Sequence, residues 1–106
     1  MADSITPNEL KALMAGNRKP ALFDVRRKAD FDASPEKIHG AARLDPEEVE
    51  EWIADIPKDE PVVVYCVKGG SVSQSIADRL RRNHPDVKFL QGGLKAWAEL
   101  GEPVGE

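Results

Sequence analysis

This chain has one cysteine, Cys66, and the residues that follow it give reason to ask whether it does chemistry. Cys66 closes the apolar run Val62-Val63-Val64-Tyr65 and opens the segment Cys66-Val67-Lys68-Gly69-Gly70-Ser71-Val72. Two glycines let the backbone curl so that successive N–H groups point inward as a nest. A helix starting behind them adds its own unpaired N–H groups and the positive end of its dipole. Such a cradle holds an anion, and a thiolate is one. Lys68 can add to the effect. A lone cysteine at the end of a buried strand is more often a small core residue, but a core cysteine needs neither the Gly-Gly curl nor the capped helix. A single cysteine excludes an internal disulfide and a CxxC motif, and two separated histidines, His39 and His84, argue against a metal site. Neither metal nor cofactor is expected. Any reaction of Cys66 must therefore involve a substrate or another protein.

The elements that would position this loop alternate between helix and strand. Thr6, Pro7 and Glu9 fit an N-cap, a first helical position and a capping-box acceptor; Leu10, Leu13 and Met14 form the apolar stripe, and Gly16 a stop. Residues 21–25 read as a buried strand, residues 26–37 as a charged loop with one helical turn, and residues 38–44 as a weaker strand with Gly40 inside it. Asp45, Pro46 and Glu48 repeat the helix-start pattern, with Val49, Trp52, Ile53 and Ile56 on one face before Pro57. The β-branched run 62–66 is the strongest strand and reads as the centre of a parallel sheet, with Cys66 at its carboxyl end. Behind it, Val72, Ile76 and Leu80 mark a helix that Ser71 or Ser73 can cap. Arg79, Arg81 and Arg82 load its last turn, and Asn83 and Pro85 end it. Residues 87–90 form a last strand. Gly92-Gly93 is a turn, and Leu94, Trp97 and Ala98 form the inner face of a final helix ending at Gly101. Strands alternating with helices predict an α/β fold: a mainly parallel central sheet of four to five strands with helices on both faces, in one domain over residues 1–106. In such sheets, ligands sit beyond the carboxyl ends of the strands, which is where Cys66 falls.

Composition narrows the function classes. Hydrophobic residues at 41% and charged residues at 32% describe an ordinary globular chain. The net charge of −4 and a single basic cluster at Arg79, Arg81 and Arg82 disfavour nucleic acid as the ligand. Residues 1–13 lack the pattern of a signal peptide, and no segment approaches the length of a membrane span. The expected setting is cytoplasmic, with no membrane partner.

Several separated motifs together resemble the rhodanese family of sulfurtransferases, over nearly the whole chain. Phe23-Asp24-Val25-Arg26 is similar to that family's strand motif ending in D-V-R. Ile38-His39-Gly40-Ala41 is similar to its I-P-G-A, and Gly92-Gly93-Leu94-Lys95-Ala96-Trp97 to its closing G-G-x-x-A-W. The Cys66 segment falls where the family has its active-site loop, C-x-x-G-x-[RS]-[SA]. The resemblance implies a three-layer rhodanese-like fold and a two-step cycle. Cys66 takes a sulfane sulfur from thiosulfate or a persulfide, becomes a persulfide, and hands that sulfur to cyanide or a thiol. Val67, Lys68, Gly69, Gly70, Ser71 and Val72 would bind the small anionic donor, with Asp24 and Arg26 in support. A sulfur-accepting protein is a further partner, which would make the domain a persulfide relay. The loop departs from the family at Ser71, where many members have Arg, and at Val72, where a small or hydroxyl residue is common. Persulfide and protein donors therefore stand beside thiosulfate.

The other polar residues have structural explanations. Asp24 is expected to pair with Arg26 or Arg43, His39 and His84 to be ordinary polar residues, and Trp52 and Trp97 to be core. Cysteine phosphatases and arsenate reductases also use a thiolate in an anion cradle, in a C-x5-R loop whose Arg clamps the oxyanion. Here Val72 stands six positions after Cys66, and the next arginine is Arg79.

Overall fold

The computed structural model describes residues 4–16, 20–33, 35–38, 40–56, 59–68, 70–82, 84, 86–101 and 104–105. Helix α1, Pro7–Ala15, begins as its sequence dictates: Glu9 N–H donates to Thr6 Oγ1, and the Glu9 side chain accepts from Thr6 N–H. These bonds satisfy two of the donors a helix start leaves unpaired. They also hold the Glu9 carboxyl below its ordinary pKa, chiefly through the Thr6 N–H.

Strands β1 (Ser4–Ile5), β2 (Ala21–Asp24), β4 (Ala42–Arg43), β5 (Val62–Tyr65) and β6 (Val87–Leu90) form one sheet in the order β1-β6-β5-β2-β4. Every neighbouring pair in it is parallel. β5 is central and buried along its whole length. Its side chains alternate between two cores: Val63 and Tyr65 join Leu10, Leu22, Leu90 and Trp97, while Val62 and Val64 join Ile76, Ala77, Leu80 and Val87. The helices that close these cores are α1 and α5 (Gly93–Glu99) on one face and α4 (Ser71–Arg81) on the other. The sheet, with helices on both faces, is the expected α/β architecture. Among the described residues, no helix is long and apolar enough to cross a membrane, and no cluster of His, Cys, Asp and Glu could hold a metal ion.

The structure departs from the sequence reading in four places. Residues 38–44 are two short strands rather than one. β3 (Lys37–Ile38) pairs antiparallel with β7 (Val104–Gly105), and β4 joins the main sheet; Gly40, at φ +90°, turns the chain between them. The segment after Asp45 is one α-helical turn, α3 (Val49–Trp52), between two 3-10 turns, Pro46–Glu48 and Ile53–Asp55. There Asp45 caps Glu47 N–H, and its carbonyl accepts from Trp52 Nε1 at 2.8 Å. Ala98 is exposed, so Trp97 alone of the predicted trio is fully buried. The expected loop turn is a six-residue helix, α2 (Lys28–Ala33). β1 and β7, two residues each, carry too little sequence pattern to be read in advance. Pro57, Asn83 and Pro85, expected as helix stops, lie outside the described residues.

Candidate active site

The chain leaves β2 towards β4 on one side of the sheet and leaves β5 towards β6 on the other. Between the carboxyl ends of β2 and β5 lies the crevice where open α/β sheets place their ligands. Two loops border it, one starting at Asp24 and one at Cys66.

Cys66 follows β5 directly and is 6% exposed. Its carbonyl and that of Val67 accept hydrogen bonds from Leu94 N–H at 2.9 Å and Lys95 N–H at 3.0 Å. The first turn of α5 thus finds acceptors for donors that a helix start leaves unpaired. In a trans peptide the N–H lies opposite the carbonyl, so this anchoring turns the Val67 and Lys68 amides away from α5. The tight turn that brings α5 into place runs through Gly92 at φ +75°, where a Cβ would come within 2.4 Å of the Ala96 Cβ.

The predicted loop residues take up distinct stations. Val67 and Val72 are half-buried, and Lys68, Gly70 and Ser71 are exposed. Gly69 lies outside the described residues. Gly70 is the N-cap of α4 and makes no side-chain cap bond, so neither Ser71 nor Ser73 has the capping role expected of them. The buried face of α4 is also shifted by one residue: Ser73, Ile76, Ala77 and Leu80 face inward, and Val72 does not.

That shift exposes a residue the sequence reading missed. Ser73 is 0% exposed, and its Oγ lies 3.2 Å from Cys66 Sγ and 3.5 Å from the Gly70 carbonyl oxygen. The signal was present: Ser73 precedes Ile76, Ala77 and Leu80 by three, four and seven positions, a complete helical stripe with a hydroxyl at its head.

Asp24 and Arg26 do not touch the sulfur. They form a buried ion pair, 0% and 2% exposed, with Arg26 Nε 3.0 Å from both Asp24 carboxylate oxygens and a terminal guanidinium nitrogen at 2.8 Å. Asp24 also accepts from Arg26 N–H at 3.0 Å, which folds the chain back at the strand end. Arg26 reaches the Glu36 carbonyl at 2.8 Å, and its guanidinium and that of Arg43 each lie 5.1 Å from the Phe31 ring centre. Tyr65 completes the hub. Its hydroxyl accepts from Ile38 N–H at 3.0 Å and lies near enough to the Asp24 carboxylate to feel its charge. Burial first, and then the neighbouring Asp24 charge, push its pKa well above the ordinary phenol value. His84 is buried with its ring nitrogens 3.1 and 3.0 Å from the Leu80 and Ile56 carbonyls, a structural post distant in sequence from the loop. His39 lies outside the described residues.

Two cavities flank the cysteine loop. One, of about 400 Å³, opens between α2 and α5 and is bordered by Val67, Leu94, Lys95 and Ala98. The other, of about 210 Å³, is bordered by Ser71, Val72 and Ser75 of α4 and by Arg27.

Comparison with known proteins agrees with this arrangement. The Rhodanese-like domain family matches residues 6–100. A protein of Allochromatium vinosum named sulfurtransferase is 30% identical, over 98% of this chain and 95% of its own length. The probable adenylyltransferase/sulfurtransferase MoeZ of Mycobacterium tuberculosis is 34% identical over 94% of this chain, which spans about a quarter (26%) of that relative's length. Among solved structures, a rhodanese-like domain protein of Staphylococcus aureus superposes with a TM-score of 0.78 at 25% identity, covering 92% of this chain and 91% of its own. With the match running through both loops of the crevice, the chain belongs to the rhodanese-like domain family.

Proposed function

We propose that this protein is a sulfurtransferase that carries a sulfane sulfur on Cys66. The observation that carries the reading is the seat of Cys66: the carboxyl end of the central strand, in a loop whose carbonyls are drawn to α5 and whose next two amides face the other way. In the first half-reaction the Cys66 thiolate attacks the outer sulfur of thiosulfate or a persulfide. A new S–S bond forms, and sulfite or the donor thiolate leaves with the electron pair of the old one. In the second, cyanide or a thiolate attacks that outer sulfur, and the Cys66 thiolate is the leaving group. Negative charge sits on sulfur before and after each step, so the loop amides and the start of α4 serve both states. Arg27, on the cavity beside Ser71 and Val72, and exposed Lys68 supply positive charge for an anionic donor. A relay role, passing sulfur to a partner protein, is favoured by the mycobacterial relatives, in which the matching region is a quarter of a longer chain. Phosphatase chemistry finds no support, because Arg79 pairs with Glu50 two turns along α4 instead of reaching the loop.

The test is intact mass spectrometry after incubation with thiosulfate or glutathione persulfide. The protein should gain one sulfur atom, removable by cyanide with release of thiocyanate, and Cys66→Ser should abolish both. No gain from either donor would sink the reading; loading followed by transfer only to a protein would establish the relay.

A further inference from the structure

We propose that Ser73 is a positioning residue for the reactive sulfur, its hydroxyl turning between the Gly70 carbonyl and Cys66 Sγ as the charge on that sulfur changes. The proposal rests on the reading of Cys66 as the sulfur carrier. Ser73 is wholly buried on a helix face whose other members are Ile76, Ala77 and Leu80. Alanine would suit that place better, as a stronger helix former with no polar atom to satisfy. What the hydroxyl gains by being there is two partners, Sγ at 3.2 Å and the Gly70 carbonyl at 3.5 Å.

The two contacts define two states. With Cys66 a thiol, S–H donates to Ser73 Oγ, and the hydroxyl proton points at Gly70. When the thiol loses its proton to solvent, the sulfur becomes an acceptor, and a rotation about the Ser73 Cβ–Oγ bond turns the hydroxyl to donate to it. Hydrogen bonds to charged groups are the stronger kind, so the thiolate is favoured. In the persulfide the charge lies on the outer sulfur, Sγ is a poor acceptor, and the hydroxyl returns to Gly70. Ser73 thus favours the sulfur-free thiolate in particular, which makes Cys66 a better nucleophile population in the first half-reaction and a better leaving group in the second.

The experiment is the pH dependence of iodoacetamide alkylation, which reports Cys66 alone because the chain has no other cysteine. Ser73→Ala should move the rate profile about one pH unit higher, lowering the rate at neutral pH by up to about tenfold. Ser73→Thr, which keeps the hydroxyl, should bring the profile back. A folded Ser73→Ala protein, checked by its thermal transition, whose profile superimposes on the wild type overturns the proposal. Alkylation needs no sulfur donor, so the two readings separate. A moved profile in a protein that never loads sulfur keeps Ser73 and discards the sulfurtransferase; an unmoved profile in one that loads sulfur does the reverse.

Discussion

The loops after β2 and β5 leave adjacent strands at the same end of the sheet, yet they are built in opposite ways. The β2 loop turns most of its charge inward: Asp24, Arg26, Arg43, Phe31 and the Tyr65 hydroxyl gather around a buried ion pair, and Arg27 alone of that loop's arginines is left at a cavity beside α4. The β5 loop is held through its carbonyls and one serine hydroxyl, with two amides turned outward. A charge already partnered within the fold has less to offer a ligand. The hub therefore gives the crevice one rigid wall, and on the proposed function the cysteine loop is the side that would meet the anion.

Breaking the hub should have the largest effect, and the effect should fall on stability. Asp24→Ala leaves the Arg26 guanidinium buried without its counter-charge, a class of change costing about 3–5 kcal/mol. Chemical denaturation should show a loss of that size, and Asp24→Ala combined with Arg26→Met should recover part of it, since removing both charges is far less costly than removing one. A variant that keeps its stability but no longer loads sulfur would break the contrast between the loops and move Asp24 into the chemistry.

Tyr65 sets the next largest effect, and its sign follows from its direction of shift. Its folded pKa is raised, so its contribution to stability is complete below the unfolded value near ~10 and is lost as pH climbs toward the folded value. Tyr65→Phe leaves the buried Ile38 N–H without its acceptor and should cost about 1–2 kcal/mol at neutral pH. The gap between wild type and variant should then narrow by roughly 1.4 kcal/mol per pH unit above ~10. Tyr65 is the only tyrosine, so phenolate absorbance reads it directly, and it should rise together with unfolding. Phenolate forming in the intact fold would show the hub to be looser than its burial implies.

The sequence made the cysteine loop more legible than the hub. Cys66, the glycines and the strand before them are contiguous, so their physics is local and can be read from order alone. The partners in the hub, from Asp24 to Tyr65, are spread over some forty positions and meet only because β2, β4 and β5 are neighbours. Asp24 could be expected to pair with Arg26 or Arg43, but the Tyr65 hydroxyl and the Phe31 stack needed the sheet order. Ser73 lay between these cases: its phase with Ile76, Ala77 and Leu80 was visible, but Val72 offered a competing stripe with Ile76 and Leu80 at equally good helical spacing. Only the burial of one face decides between two such stripes.

The smallest effect tests whether the cysteine loop lacks a charge that thiosulfate would use. Ser71 is exposed and borders the same cavity as Arg27, so an added guanidinium there has room and faces no buried partner. Ser71→Arg should leave stability nearly unchanged. An exposed ion pair is worth at most about 1 kcal/mol, which corresponds to a fall in the KM for thiosulfate of about fivefold. The rate at saturating thiosulfate should change less, because an added charge that binds donor and transition state alike alters KM and not kcat. Steady-state kinetics with thiosulfate and cyanide, run beside glutathione persulfide, would separate the cases. A gain confined to thiosulfate would mean that the native loop, with Ser71 in place, is suited to a less highly charged donor. An unchanged KM for both would mean that the loop amides, with Arg27 and Lys68, already set donor binding, and the contrast between a charge-filled wall and a charge-poor loop would then be the design of the site itself.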